Sequence, residues 1–262
     1  MPTTYAHYTF GQEVLENLND VIKSMINENK DLYNIGLHGP DILFYYKPLK
    51  SNPISRKGNE LHGQHSNLFF ENARNEIMKS KDFNASCSYI LGFICHFMLD
   101  SYCHPYIRMF ESDELTHGEI ETEFDRFIML RQNKIPSSFR PTSHIAADEY
   151  GARIISGFFE GVSDEDILRS LRSMKFSLNL LVAPSIFKRY IIFAGLKLSG
   201  NYKKVRGLIM NYEPNVKCIE INTNLYDLYE KAAVNAAEII HEYYNDLNKQ
   251  DSINSYFDRS FG

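Results

Sequence analysis

The sequence predicts an all-α fold, organised as a single multi-helix domain. Apolar residues recur at steps of three and four residues in one segment after another, which is the period of one face of an α-helix. No stretch alternates apolar and polar residues with the period of two that marks a half-buried strand. The chain of 262 residues shows no internal repeat and no low-complexity tail, and this length suffices for one large domain.

In the first half of the chain, four helices are predicted between breaks rich in Gly and Pro. The predicted helices are Glu13–Asn29, Ser66–Ser80, a segment from Asn84 or Ser86 to about Cys103 with Pro105 as its stop, and Thr116–Leu130. The predicted breaks are Gly36–Asp41, Lys50–Glu60 and Lys134–Ser143.

Four more helices are predicted in the second half. They are Ala146–Gly161, Asp164–Val182, Ser185–Leu198 and Thr223–Leu247. Ser163 precedes three acidic residues, a favourable helix start because anionic side chains stabilise the first turn. We expect the helices within 146–262 to pack on a chemistry-bearing part within 1–130. A second small helical domain after residue 145 is the alternative.

The composition excludes several classes of protein. Lys and Arg number 28 against 33 Asp and Glu, and a net charge of -5 argues against a stable nucleic-acid complex. No apolar run approaches the roughly 18 residues of a transmembrane helix, and no basic start precedes an apolar signal segment. The four cysteines are badly spaced for a disulfide framework. We therefore expect a cytoplasmic protein without a membrane span.

Two predicted helices carry histidines and carboxylates at metal-ligand spacing. His96, Asp100 and His104 stand at positions i, i+4 and i+8 of an apolar run, on one face of its helix. An Asp in such a run is costly unless it is paired or bound to a metal. His117 and Glu121 repeat the i, i+4 spacing on the next helix. Two such sets on successive helices favour a metal centre.

Upstream residues add further candidates for ligands. His7 precedes the first predicted helix, Asp41 follows Gly-Pro in a turn, and His62 competes with His65 for one role. Imidazole and carboxylate ligands suit zinc, iron or manganese. Ordinary alternatives stay open: a buried polar cluster on the apolar helix, a solvated i, i+4 pair on the next helix, and a simple turn at Asp41.

Other polar residues near these motifs fit supporting or unrelated roles. Asp125, one turn after Glu121, suits a partner of a ligating histidine better than a ligand. His38, beside the Gly-Pro-Asp turn, is more typical of a structural residue. His144 and His241 are expected to be unrelated to the site.

These motifs together resemble the zinc-dependent phospholipase C family, all-helical phosphodiesterases related to the single-strand-specific P1-type nucleases. The resemblance covers residues 6–121 and rests on Ala6-His7-x-x-Phe10-Gly11, Gly39-Pro40-Asp41, Leu61-His62, His96-x3-Asp100-x3-His104-Pro105 and His117-x3-Glu121. It implies a fold of the phospholipase C and P1 nuclease type. It also implies a metal-dependent phosphodiester hydrolase, with a phospholipid as one candidate substrate.

The resemblance further implies a cluster of two or three zinc ions. One ion would bind Asp41, His62, His96 and Asp100; a second would bind His104, His117 and Glu121; a third would bind His7, with Asp100 as a bridge. Asp41 is also the implied catalytic residue, which orients or deprotonates the attacking water. The secreted members bind the third ion through a processed N-terminal Trp, and this sequence has no Trp.

Two other functions compete with hydrolysis. One is a member that binds metal or a phosphorylated ligand without catalysis. The other is a ferritin-like di-iron protein, because Glu114-x-x-His117 and Glu238-x-x-His241 match its E-x-x-H motif. Separately, six basic residues and no acidic residue lie between Lys188 and Arg206. That run is typical of a solvated helix face and also fits attraction to anionic lipid or phosphate.

Overall fold

One buried helix lies at the centre of the protein. The computed structural model describes residues 4–249 and 252–261. In it, Phe83–Arg108 is a continuous helix, and every residue from Ala85 to Asp100 is buried. A helix that is apolar around its whole circumference is stable in water only when other elements cover all its sides.

Within the described residues, twelve α-helices and no strand follow one another, so the all-α prediction is confirmed. They are α1 (Thr4–Glu16), α2 (Asp20–Glu28), α3 (Lys30–Gly36), α4 (Pro53–Gly63), α5 (Asn67–Lys79), α6 (Phe83–Arg108), α7 (His117–Arg131), α8 (Glu149–Ser156), α9 (Asp164–Leu181), α10 (Ile186–Leu198), α11 (Tyr202–Val205) and α12 (Ile219–Asn245). Short 3₁₀ helices cover Gly39–Tyr45, Arg206–Leu208, Val216–Cys218 and Ser255–Asp258.

The cover of α6 comes from both halves of the chain. Helices α3 and α12 make the most extensive contacts with it, and α1, α2, α5, α7 and α8 pack around the remainder. One cluster of buried apolar side chains extends from Tyr5 in α1 to Phe261 near the other end of the chain. Helices before and after residue 146 therefore share a core, while the assignment of the whole chain to one domain stays a prediction.

Two glycines allow α3 to approach α6 closely. A Cβ atom on Gly36 would lie 2.1 Å from the backbone oxygen of Tyr89, and one on Gly92 would lie 2.2 Å from that of Tyr33. Backbone atoms cannot move aside as side chains can. The absence of side chains at these two positions therefore sets the distance between the two helices.

The first predicted helix is wrong in its extent. The segment Glu13–Asn29 is divided between α1, which already begins at Thr4, and α2. Asn19 separates them because its side chain accepts a hydrogen bond from the amide of Ile22 and so caps α2. Apolar spacing continues across the break, so periodicity alone could not reveal it.

The loop predicted over Lys50–Glu60 is also wrong, since α4 begins at Pro53. Asn52 and Ser55 form a reciprocal capping box, in which each side chain accepts a hydrogen bond from the other residue's amide. Pro53 is the first helical residue, where its missing amide costs nothing. The Pro taken as a loop signal is therefore part of a helix start.

Pro105 does not stop α6, which continues to Arg108. Its ring removes only the hydrogen bond to the carbonyl of Ser101, close to the end of the helix. Other boundaries also differ: the predicted Ala146–Gly161 helix is the shorter α8, capped by Asp148, and α12 begins at Ile219 rather than Thr223. The sequence predicts no helix at the position of α3.

The remaining predicted helices agree with the structure to within one or two residues. Thr116, Ser163 and Ser185 cap α7, α9 and α10, and α5 begins at Asn67. In the described part of the chain, no helix combines the length and apolar character that crossing a bilayer requires.

The close approach of α3 to α6 predicts the effect of adding a methyl group. We expect Gly92→Ala to lower the free energy of unfolding by about 1–3 kcal/mol or more, because the added carbon meets backbone. Gly195→Ala is the control, since nothing lies within 4 Å of its Cβ position and Ala favours helix by about 1 kcal/mol. Urea denaturation followed by circular dichroism measures both. Equal stability of the two variants would contradict the assigned packing.

Candidate metal centre

Eight residues from five elements converge at one place beside α6. α1 contributes His7, the 3₁₀ helix Gly39–Tyr45 contributes Asp41, and the last turn of α4 contributes His62. The other five come from successive turns of α6 and from the start of α7: His96, Asp100, His104, His117 and Glu121. The i, i+4 spacing on each helix therefore has the predicted consequence of placing these side chains together.

Asp100 lies at the centre of this arrangement. Its Oδ1 atom is 3.2 Å from His7 Nε2 and 3.3 Å from His104 Nε2. Its Oδ2 atom is 3.1 Å from His96 Nε2 and 3.9 Å from His62 Nε2. Four imidazoles thus direct a ring nitrogen at one buried carboxylate.

Asp41 and Glu121 lie on either side of Asp100. Asp41 Oδ1 is 3.1 Å from His62 Nε2, and Asp41 Oδ2 is 3.7 Å from His96 Nε2. Glu121 Oε1 is 3.3 Å from His104 Nε2 and 3.2 Å from His117 Nε2. Both carboxylates are buried.

The donor atoms form three groups that fit metal ions. In each group the ligand atoms lie within 4.8 Å of one another: His7 with His96 and Asp100, Asp41 with His62 and His96, and His104 with His117 and Glu121. Zinc bonds of about 2.0–2.1 Å in tetrahedral geometry separate two ligands by about 3.3–3.4 Å. Most nitrogen–oxygen distances in the site are close to that value.

Buried atoms without hydrogen-bond partners support the same fit. In this site such atoms include His96 Nε2, His104 Nε2, Asp41 Oδ2, Asp100 Oδ2 and Glu121 Oε2. A buried polar atom left without a partner costs about 1–3 kcal/mol, and more for a charged group. Bound cations would satisfy the carboxylate oxygens and the ring nitrogens together.

The comparison with known families agrees with this geometry. A family model described as zinc-dependent phospholipase C matches residues 6–172, which is more than half of the chain. The chain belongs to the zinc-dependent phospholipase C family. No curated protein and no solved structure matches the chain significantly. The matched region contains all eight converging residues and ends within α9.

The charges of the site favour a cation. Burial alone would raise the pKa of Asp100, but His104, His96 and His7 outweigh it and hold that pKa well below its usual range. Burial would lower the pKa of His62 and of His117. Asp41 nevertheless raises the pKa of His62 to about 9, and Glu121, with Glu111, raises the pKa of His117 to about 9. Protons and metal ions therefore compete for the same ring nitrogens.

Hydrogen bonds outside the centre fix the orientation of two rings. His62 Nδ1 donates to the carbonyl of Gly58 at 2.7 Å, which directs Nε2 at Asp41. His117 Nδ1 lies 2.5 Å from Glu111 Oε1. Such outer partners are typical of zinc-bound histidines. Glu111 lies in a loop with no periodicity, so no pattern in the sequence identifies it.

Asp125 holds the start of α1. It was expected to orient a ligating histidine, but instead it accepts hydrogen bonds from the amides of Tyr5 (3.2 Å) and Ala6 (2.7 Å). Burial raises its pKa to about 7, although both amides favour the charged form. The carboxylate thus takes the place of a cap and positions the turn that carries His7.

Two histidines outside the centre, His38 and His144, contact each other beside the turn that carries Asp41. His38 Nε2 and His144 Nε2 lie 2.8 Å apart, and the ring of Tyr8 stacks on His144 at 4.0 Å. Gly39, which follows His38 in the chain, has a φ of +47°. A Cβ atom on Gly39 would lie 2.2 Å from the ring of His96. A side chain at this position would therefore push Asp41 away from His96. His144 was predicted to be unrelated to the site.

Aromatic rings and a cleft enclose the centre. Phe261 lies 5.3 Å from the His62 ring and 5.9 Å from the His96 ring, between centroids. A cleft of about 440 Å³ has His117 in its wall. Its cationic lining residues are Lys50, Lys203 and Lys204, and no acidic residue of the described chain lines it.

The geometry separates the competing residues. His65 is exposed and lines a different cleft, whereas His62 faces Asp41. Glu114 is exposed and pairs with Lys217 at 2.8 Å, and His241 accepts a hydrogen bond from the amide of Asn19. Among the described residues, no group able to hold a metal includes Glu114 or His241, which removes the support for a di-iron site.

Metal removal is expected to lower stability. We expect the purified protein to bind two or three zinc equivalents and to lose several degrees of melting temperature with a chelator, because binding stabilises only the folded state. His62→Ala should lower the metal content, whereas the matched control His65→Ala should leave it unchanged. Elemental analysis and thermal unfolding measure these effects. No zinc uptake on titration would contradict the assignment.

The burial of His144 beside His38 predicts that the stability of the fold depends on pH. Burial, assisted by Lys175, lowers the pKa of His144 from 6.5 to about 3. The unfolded chain therefore binds a proton that the folded protein does not, and stability falls as the pH drops below about 6.5. At pH 5 we expect a loss of about 1–2 kcal/mol, allowing for the partial exposure of the ring.

The variant His144→Gln isolates this effect in unfolding measurements between pH 7 and pH 5. Its amide can still bond to His38 but does not titrate, so its stability should decline less than that of the wild type. The exposed His65 offers the matched control, since His65→Gln should retain the wild-type decline. Identical pH dependence in all three proteins would show that His144 does not contribute.

Proposed function

We propose that this protein hydrolyses the phosphodiester bond of a phospholipid, as a phospholipase C does. Two or three zinc ions would bind the eight converging residues. The observation that carries the proposal is the set of buried nitrogen and oxygen atoms around Asp100 that lie at ligand-to-ligand distances. Three of them, His96 Nε2, His104 Nε2 and Asp100 Oδ2, have no hydrogen-bond partner. Family membership supports the same reaction.

The ligand set leaves the site with a positive net charge. Asp41, Asp100 and Glu121 contribute -3, against +4 for two zinc ions or +6 for three. A phosphodiester anion is therefore attracted to the site although the whole protein is acidic. When bound, zinc supplies positive charge beside the phosphate and a water whose pKa is about 7.

Asp41 is the proposed catalytic residue. Its Oδ1 atom faces His62, while its buried Oδ2 atom has no hydrogen-bond partner. With a zinc ion held through Oδ1, the Oδ2 atom could accept a hydrogen bond from the attacking water and then take its proton. The hydrogen bond from His62 Nδ1 to Gly58 and the close approach at Gly39 keep this carboxylate in position.

The cleft beside His117 is the proposed substrate site. Its three lysines form no ion pair with any described residue, and no described acidic side chain lies in the lining to oppose them. They would attract the charged part of a phospholipid headgroup and orient its phosphate toward the centre. Apolar lining residues, among them Phe44, Leu49 and Leu208, give the same cleft a surface for the lipid backbone.

Turnover by the zinc-loaded protein tests the proposal. We expect release of a phosphorylated headgroup from phospholipid in mixed micelles, and hydrolysis of bis-p-nitrophenyl phosphate. Asp41→Asn should lower kcat by about 100-fold to 10,000-fold, the range for a lost general base. His65→Ala is the matched control and should retain wild-type kcat.

Metal content must be measured on each variant, so that a lost ion is not mistaken for a lost base. Absence of turnover on every phosphodiester, at full zinc loading, would refute the hydrolase. That result would favour the alternative of a family member that binds metal or a phosphorylated ligand without catalysis.

A further inference from the structure

Helix α10 presents an apolar surface to solvent that no described element covers. No residue of α10 is buried. We define the apolar stripe as Ile186, Phe187, Tyr190, Ile191 and Leu198, whose exposed fractions are between 53% and 90%. At about 100° per residue, these positions occupy roughly 140° of the helix circumference. A one-sided apolar surface of this size marks an interaction site.

The stripe belongs to a part of the chain with a distinct charge. Residues 167–212 contain nine Lys and Arg and no Asp or Glu. The rest of the chain contains 19 Lys and Arg against 33 Asp and Glu. The segment around α10 is thus strongly cationic in an otherwise acidic protein, which favours an anionic partner.

The opposite side of α10 is held to the protein by its own cations. Lys188 Nζ donates to the carbonyls of Val182 and Asn179, and the guanidinium of Arg189 donates to Met210 and lies over the Tyr212 ring. These contacts fix which side faces outward. Lys197 of α10, and Lys203 and Lys204 of α11, are also exposed.

We infer that α10 docks on the surface of a bilayer that contains anionic phospholipid. The apolar stripe would enter the region between headgroups and acyl chains, where aromatic and aliphatic side chains are stable. Lys197 lies on the same side of the helix by its position in the helical turn, and the exposed Lys203 and Lys204 follow in α11. In the docked protein these lysines would contact lipid phosphates.

A second copy of the chain fits this surface less well. A symmetric dimer through the apolar stripe would bring the cations of both copies together, because such an interface uses the same patch twice. An anionic bilayer neutralises them instead. The placement also connects to the candidate centre, since Lys203 and Lys204 line the cleft beside His117. Docking at α10 would bring that cleft to the lipid headgroups.

Vesicle sedimentation with the full chain tests this inference. We expect binding to phosphatidylcholine vesicles with about 30% phosphatidylserine to be at least about tenfold stronger than to phosphatidylcholine alone, and to weaken with added salt. The double variant F187S/Y190S should lower binding about tenfold or more. The control V21S/V234S removes two similarly exposed apolar side chains from α2 and α12 and should bind as the wild type does.

Three outcomes would overturn the inference: no binding to either vesicle, binding that F187S/Y190S leaves unchanged, or a wild-type dimer that this variant converts to monomer. Circular dichroism and turnover of soluble bis-p-nitrophenyl phosphate should be unchanged in F187S/Y190S, which excludes misfolding. Docking does not depend on catalysis. Stripe-dependent binding without turnover would therefore refute the proposed hydrolase and leave the inference intact.

Discussion

A carboxylate inside an apolar helix is the constraint on which this structure depends. Asp100 ends an unbroken run of buried residues of α6 that begins at Ala85, and it is itself 2% exposed. Moving an isolated carboxylate into such an environment costs far more than a small domain can offset. Four imidazoles, directed at its two oxygens from α1, α4 and α6, reduce that cost only in part, since several of the buried atoms make no hydrogen bond. A bound cation would complete the compensation, so the stability of this core and its capacity for metal would have one physical origin.

The packing around α6 positions the side chains that surround Asp100. Gly36 and Gly92 bring α3 against α6, and the 3₁₀ helix that follows α3 then delivers Asp41 to the side of His96. Asp125 holds the first turn of α1 and so fixes His7 from the other side. Outer hydrogen bonds at His62 and His117 leave Nε2 as the atom that faces the carboxylates. The outer contacts to Gly58 and Glu111 thus hold two of the candidate ligand rings in the orientation that metal binding would require.

Local patterns in the sequence predicted the parts of the site that lie on single helices. The i, i+4 spacing alone places His96, Asp100 and His104 on one face and pairs His117 with Glu121. His7, Asp41 and His62 came from the resemblance to a family, because no local rule brings residues so far apart in sequence together. His144 and Phe261 were missed for the same reason, since each reaches the site through a long-range contact that leaves no periodic signal. Glu111 is only six residues from His117, but it lies in a loop where no pattern marks it. Pro53 misled for a different reason, because one residue type marks both a loop and a helix start.

The separation of charge along the chain connects the centre with the surface. The acidic majority of the chain would repel a phosphodiester at long range, and at physiological salt that repulsion is screened beyond about 8 Å. Within that distance an approaching phosphodiester would meet Lys50, Lys203 and Lys204 at the cleft, and then the metal ions that the ligand set would hold. The cationic segment lies outside the region that matches the family, apart from its first few residues. The matched region therefore carries the residues suited to chemistry, and the segment that follows carries those suited to selecting where that chemistry occurs.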